Sequence, residues 1–290
     1  TSFLQLMGPL GILVSTLQIT LLQQWLSPEE FHVWGWRVPF WISILLLLIA
    51  FKARMALEET PVFLELSKNI KKNESQLINN FRNPEIRKRM LLLFLCISSS
   101  GAILFFCVQV YAAIFLKTTV KLDPLLVNKL SVFTTMTLFP FTIFAGWLSD
   151  RVGRKPVVVC GIALGALLIR PAFELLHTLG AYFTTNPQNA TLGIGAVLTM
   201  LSLSLALAVG PQTALLGELF PAKNRNSAAT LPHNLAAGWV GGLLPLIVTW
   251  LNQAIGNDFA GLWYPTIFLT FIALVAIYKL PETYLTNITH

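Results

Sequence analysis

Gly146-Trp147-Leu148-Ser149-Asp150-Arg151-Val152-Gly153-Arg154-Lys155 is a charged ten-residue stretch wedged between two long apolar runs. The charges of Asp150, Arg151, Arg154 and Lys155 are costly to place in hydrocarbon, whereas the residues to either side are costly to leave in water. That is the pattern of two helices meeting at one face of a membrane. Asp150 ends one span and is placed to accept charge-assisted bonds from Arg154. Gly153 permits a tight reversal, and Pro156 suits the first turn of the next helix.

The composition extends this reading to the whole chain. Its residues are 55% hydrophobic and 11% charged, with a mean hydropathy of +0.68, against about 25% charged in soluble domains. A water-soluble fold of 290 residues has no room to hide that much apolar surface. Residues 42–51, 157–169 and 262–277 lie inside longer stretches near the ~20 residues that cross a ~30 Å hydrocarbon core. The fold class is therefore all-α, a polytopic protein whose solvent is the lipid bilayer. The formal charge of +7 falls in short loops rather than on one soluble face, which argues against nucleic acid as a partner. Cys96, Cys107 and Cys160 lie within apolar spans without framework spacing. They read as buried packing residues, not as disulfide or metal ligands. No Gly-Lys-Ser/Thr phosphate loop occurs, and neither a cofactor nor a metal is expected.

Apolar runs and polar breaks give about eight helices, at 1–25, 36–58, 90–116, 126–149, 156–179, 193–219, 228–252 and 261–280. The loops at 59–89, 150–155 and 220–227 carry twelve Lys and Arg residues, while the opposite loops hold only Lys117 and Lys121. That asymmetry predicts that the basic side is cytoplasmic. Trp25, Trp34 and Trp36 would form an aromatic belt at the other face. In the long polar segment, Phe63, Leu66 and Ile70 stand at helical spacing among lysines. Two readings remain open there, a surface amphipathic helix or a solvated connector.

The stretch 146–155 resembles the cytoplasmic loop signature of the major facilitator superfamily of transporters, G-x-L-(A/S)-D-R-x-G-R-(K/R), at every defining position. Gly35-Trp36-Arg37-Val38-Pro39-Phe40, Glu58-Glu59-Thr60-Pro61-Val62-Phe63, and Glu218-Leu219-Phe220-Pro221 followed by Arg225 resemble its metabolite:H+ symporter branch, which includes proline/betaine, 2-oxoglutarate, citrate and shikimate permeases. Asn226-Ser227 and His233 depart from the branch's usual residues. The resemblance implies that 1–58 ends an N-terminal helical bundle, 59–89 is a cytoplasmic interdomain linker, and 90–290 is a C-terminal six-helix bundle. About four further helices of the same protein would precede Thr1, as in transporters built from repeated units. A weak internal repeat agrees: the residues around Trp36-Arg37-Val38-Pro39 and Leu57-Glu58-Glu59-Thr60-Pro61 are echoed by Trp263-Tyr264-Pro265 and Leu280-Pro281-Glu282-Thr283.

Site residues follow from both lines of argument. Asp150, Arg154 and Glu218 would form a gate latch on the cytoplasmic side, with Arg151, Gly153 and Arg225 as further gating candidates. The competing reading is that the basic residues only fix topology. Gln212 follows Gly210-Pro211, and Asn234 follows Pro232-His233; Pro-interrupted helices mark transporter binding sites. The resemblance places Gln109, Tyr111 and Gln212 on helices bordering the central cavity, so these and Asn234 are the substrate-binding candidates. Glu174 and His233 are the proton-coupling candidates. Arg170, Glu174 and His177, at i, i+4 and i+7, share one helix face, as a structural ion pair or as an anion- or proton-handling group.

The leading expectation is a secondary transporter of the cell (inner) membrane that moves a small organic solute together with a proton. A compatible osmolyte such as proline or betaine is favoured, and a carboxylate of the 2-oxoglutarate or citrate type is the alternative. A channel would want a selectivity filter, and a membrane enzyme a convergent acid, base or metal set. The sequence offers neither.

Overall fold

The computed structural model describes residues 2–56, 80–220 and 225–284, with the side chains of residues 2, 3, 225 and 226 left out. Within them, seven helices are long and apolar enough to cross a membrane, and no strand occurs among the described residues. We number the long helices α1 (Met7–Trp25), α2 (Gly35–Ala56), α3 (Pro84–Thr118), α4 (Pro124–Val152), α5 (Arg154–Tyr182), α6 (Pro187–Glu218), α7 (Ser227–Ile255) and α8 (Ala260–Lys279). The chain is an all-α polytopic protein. The segment at 63–70, where an amphipathic helix was one expectation, lies outside the described residues.

Local chemistry sets the boundaries. Asn83, Asp123 and Asn186 each accept a backbone N–H of the first turn and are each followed by proline, so α3, α4 and α6 begin with a side-chain cap and a residue that needs no N–H partner. Those caps start α3 and α6 about one to two turns earlier than the apolar pattern alone predicts, and α3 takes in residues expected in the linker. α1 also differs from expectation. It is broken at Leu6 after a short turn at Ser2–Gln5, and its glutamines and threonines keep it out of the set of seven apolar spans. The charged stretch shows the largest departure. α4 continues through Val152 and α5 begins at Arg154, so the expected six-residue loop is the single residue Gly153.

α3 to α8 pack into one bundle, with α5 lying closest along α6 and α8, and α4 along α6. A Cβ at Gly161 would sit 2.4 Å from the Ala208 backbone N, so only glycine lets α5 approach α6 this closely. α1 leans on α4, whereas the Val38–Ala56 segment of α2 has no buried side chain. The interior is apolar, with Phe115, Phe173 and Phe220 fully buried. Several of its hydroxyls turn back onto their own helices: Ser100 donates to the Cys96 carbonyl at 2.7 Å and Thr134 to that of Leu130 at 2.7 Å. This satisfies them where no water is at hand. Cys96 and Cys107 are buried as expected, but Cys160 is exposed, on the α5 face turned away from the bundle.

Candidate functional site

At the α4–α5 reversal, Gly153 has φ +111° and ψ 157°, a region essentially reserved for glycine. Reversing on one residue brings Arg154 back beside the end of its own hairpin. Its guanidinium donates to Asp150, to Ser149 Oγ at 2.8 Å, and to Glu218 Oε1 of α6 at 3.3 Å. Arg154 and Glu218 are largely buried, their side chains 12% and 15% exposed, and water screening is correspondingly weak. The Arg154 Nε–H has no partner among the described residues.

Two residues that the sequence reading did not single out complete the cluster. Glu282 accepts the backbone N–H of Arg154 at 2.9 Å and of Lys155 at 3.1 Å, so its carboxylate sits on the positive end of the 29-residue helix α5. Burial raises the Glu282 carboxyl, but the backbone N–H donors of Tyr284, Arg154, Lys155 and Thr283 outweigh it and hold the pKa below the ordinary value. Thr283 Oγ1 donates to Glu218 Oε2. A Cβ at Gly153 would stand 2.7 Å from Glu282 Oε2, so the glycine both permits the turn and makes room for this cap. The signal lay in the repeat around Leu280-Pro281-Glu282-Thr283, which reports duplication without saying what the glutamate touches. Arg151 points elsewhere, with its guanidinium 4.2 Å from the Trp147 ring centroid. The side chain of Arg225, like residues 221–224, lies outside the described residues.

A second polar site lies on the bundle face toward the N-terminal segment. A cavity of about 230 Å3 is lined by Gln5 and Gly8 on one side, and by Ser98, Phe105, Phe106, Gln212 and His233 among others across from them. His233 Nδ1 is 3.2 Å from Ser98 Oγ and 3.5 Å from Gln212 Nε2. A Cβ at Gly101 would meet Gln212 Oε1 at 3.0 Å. No Asp, Glu, Lys or Arg is among the lining residues. The α-helical ladder gives way to π turns at Leu93–Ser99 and Ala236–Gly241, beside the polar groups, as π turns often do at functional sites.

The remaining candidates are dispersed. Gln109 is buried and lines no described cavity, accepting from Thr135 Oγ1 at 2.9 Å. Tyr111 turns into the core against Phe115 and Phe173, and its hydroxyl accepts from Asn252 at 3.1 Å. Asn234 is exposed and lines no described cavity. Glu174 is on the far side of the bundle, paired with Arg170 Nε at 3.0 Å. A chain of contacts not anticipated from sequence links α1 to the opposite end of α4: Lys117 donates to Asn128 Oδ1 at 2.9 Å, and Asn128 Nδ2 to Gln23 Oε1 at 3.3 Å.

The sequence model of the family described as sugar (and other) transporter matches residues 66–288. The chain belongs to that family, within the major facilitator superfamily. The chain is 31% identical over 283 residues to the inner membrane metabolite transport protein YhjE of Escherichia coli K12, an overlap covering 96% of this chain and 62% of the relative. It is 27% identical over 270 residues to a putative proline/betaine transporter of Staphylococcus haemolyticus, covering 91% and 53%. It is 26% identical over 279 residues to the glycine betaine/proline/ectoine/pipecolic acid transporter OusA of Dickeya dadantii, covering 92% and 52%. The chain thus spans about half to three fifths of these relatives' lengths. The family and these names are those of membrane transporters rather than enzymes.

Proposed function

We propose that the chain forms the larger part of a proton-coupled symporter for a small organic solute without net charge, a compatible osmolyte such as proline or betaine, working by alternating access in the cell inner membrane. Residues 1–58 close an N-terminal bundle, a cytoplasmic linker follows from residue 59 and ends where α3 begins at Pro84, and the C-terminal bundle runs from there. The observation that carries the solute class is the lining of the α1-side cavity: Ser98, Gln212 and His233 offer hydrogen bonds, and no charged side chain stands among them. A net anion such as 2-oxoglutarate wants a cation in its site. The deep arginine, Arg170, is instead on the other face of the bundle, stacked on Trp263. The names of these relatives, with proline and betaine recurring, point the same way.

In this reading His233 handles the proton, because it is the titratable group that shares the cavity with Gln212. Glu174, paired outside it, does not. The Asp150–Arg154–Glu218 cluster, extended by Glu282 and Thr283, is the cytoplasmic latch. Its buried, unpartnered Nε–H gives Arg154 a donor to offer when the cluster rearranges.

The test is uptake of labelled betaine, proline, 2-oxoglutarate and citrate into vesicles bearing the full-length protein, with and without an inward proton gradient. The reading expects saturable, gradient-driven accumulation of betaine or proline and none of the two carboxylates. Accumulation of a carboxylate alone, or of none of the four by folded and inserted protein, would overturn it.

A further inference from the structure

On the side of the bundle away from α1, a second cavity of about 430 Å3 opens between α5, the end of α7 and the start of α8. It begins at Asn257 and Ala260, in the connection between α7 and α8, and so at a membrane face. From there it runs along Leu251, Ile255 and Ile267. Ile255 and Ile267 are 63% and 62% exposed, turned outward where acyl chains would lie. At its wall stands the one feature that hydrocarbon does not explain, the pair of Arg170 and Glu174, with side chains 37% and 46% exposed.

The geometry of the pair is specific. Arg170 lies flat over Trp263, with its guanidinium carbon 4.2 Å from the ring centroid, and spends only its Nε–H on Glu174 Oε1, at 3.0 Å. Its two terminal nitrogens have no hydrogen-bond partner among the described residues. They form the forked edge that matches a phosphate. Glu174 Oε2 is likewise without a partner among them. Asn257, which lines the same cavity, accepts the Phe259 N–H through Oδ1 at 2.9 Å, which leaves its amide N–H groups without a partner among the described residues. A fixed cation beside a fixed anion, above an apolar furrow at a membrane face, complements a phosphodiester followed by a primary ammonium. It suits a purely anionic headgroup poorly, because Glu174 repels it, and a quaternary ammonium poorly, because that group has no N–H to give.

We propose that the Arg170–Glu174 pair and the furrow beneath it are a binding site for a phosphoethanolamine lipid, with phosphate on the open edge of Arg170, ammonium on Glu174, and an acyl chain along Leu251, Ile255 and Ile267. The site is independent of the solute cavity, and no charged side chain is shared between them.

Native mass spectrometry of the full-length protein in detergent, titrated with dioleoyl phosphatidylethanolamine, phosphatidylglycerol or phosphatidylcholine, tests it. Wild type is expected to hold the ethanolamine lipid about tenfold more tightly than the other two, the scale of one desolvated charge-assisted contact. Glu174→Gln should reduce that preference to parity while leaving basal retention. Arg170→Gln should weaken retention of all three. Ile255→Trp, which fills the furrow and leaves the pair intact, should do the same with an unchanged melting temperature in lipid-free detergent. If Arg170→Gln misfolds, Glu174→Gln and Ile255→Trp carry the test. Equal retention of the three lipids by wild type, or an ethanolamine preference that survives Glu174→Gln, overturns the proposal.

Discussion

At residue scale, Gly153 and Glu282 depend on each other. The backbone at φ +111° turns α5 back so that its first N–H groups face the C-terminal segment, and a Cβ on residue 153 would stand 2.7 Å from Glu282 Oε2, too close for the carboxylate to stay where it is. Because the Glu282 carboxyl is held below its ordinary value, the unfolded chain binds its proton more readily than the folded chain. The cap's stabilisation is therefore complete above the unfolded carboxylate pKa and is lost as pH falls through the lower folded value. Melting of wild type and Glu282→Gln compared from about pH 7 to about pH 3 should show a constant gap at the upper end that closes at acid pH. A gap independent of pH would mean that the carboxylate's charge contributes nothing. The residues that were legible here and those that were not differ for a physical reason. Asp150, Arg154 and Glu218 could be paired from sequence because charges at helix ends have few partners. Glu282 acts on backbone N–H groups, which every residue supplies and no motif marks.

At the scale of elements, α4 carries a polar cluster at each end. Asn128 and Asp150 stand about 33 Å apart along it at 1.5 Å per residue. One end is tied to α3 and α1 through Lys117 and Gln23, the other to α5 and α6 through Arg154 and Glu218. If α4 is the lever of alternating access, Asp150→Asn and Asn128→Ala should displace the conformational equilibrium in opposite senses. Spin-label distances across the two ends in the full-length protein would read this, and shifts of the same sign would contradict it. The long spans were legible because apolar runs of this length have one stable solution in lipid. Their finer geometry was not. Nothing in Phe106-Cys107-Val108-Gln109-Val110-Tyr111 announces the π turn found at Phe106–Tyr111. Since a π turn shifts the helical register, it bears on which way these side chains face: Tyr111 faces the core and Gln109 is buried against Thr135. Ser98 escaped notice for a related reason. In the run Ser98-Ser99-Ser100 only the register of the π turn decides which hydroxyl meets His233.

At the scale of the molecule, a bundle of six packed helices carries the proposed solute cavity on one flank, a charge cluster at one end of α4, and the proposed lipid furrow on the opposite flank. The cavity holds the central claim, because solute class and proton coupling both rest on what enters it. Gly8 of α1 gives direct access: it lines the cavity, and a Cβ built on it meets nothing within 4 Å. With Cys160, the exposed cysteine of this chain, and every cysteine outside the chain replaced by serine, Gly8→Cys places a single reactive thiol at the cavity wall of the full-length protein. The deciding measurement is its rate of modification by a membrane-permeant maleimide as betaine or proline is added. The account predicts that the solute slows labelling with the same half-saturation concentration as its uptake, and that 2-oxoglutarate has no effect. Labelling that solute leaves unchanged, in protein that still transports it, would place the solute site elsewhere and contradict the account.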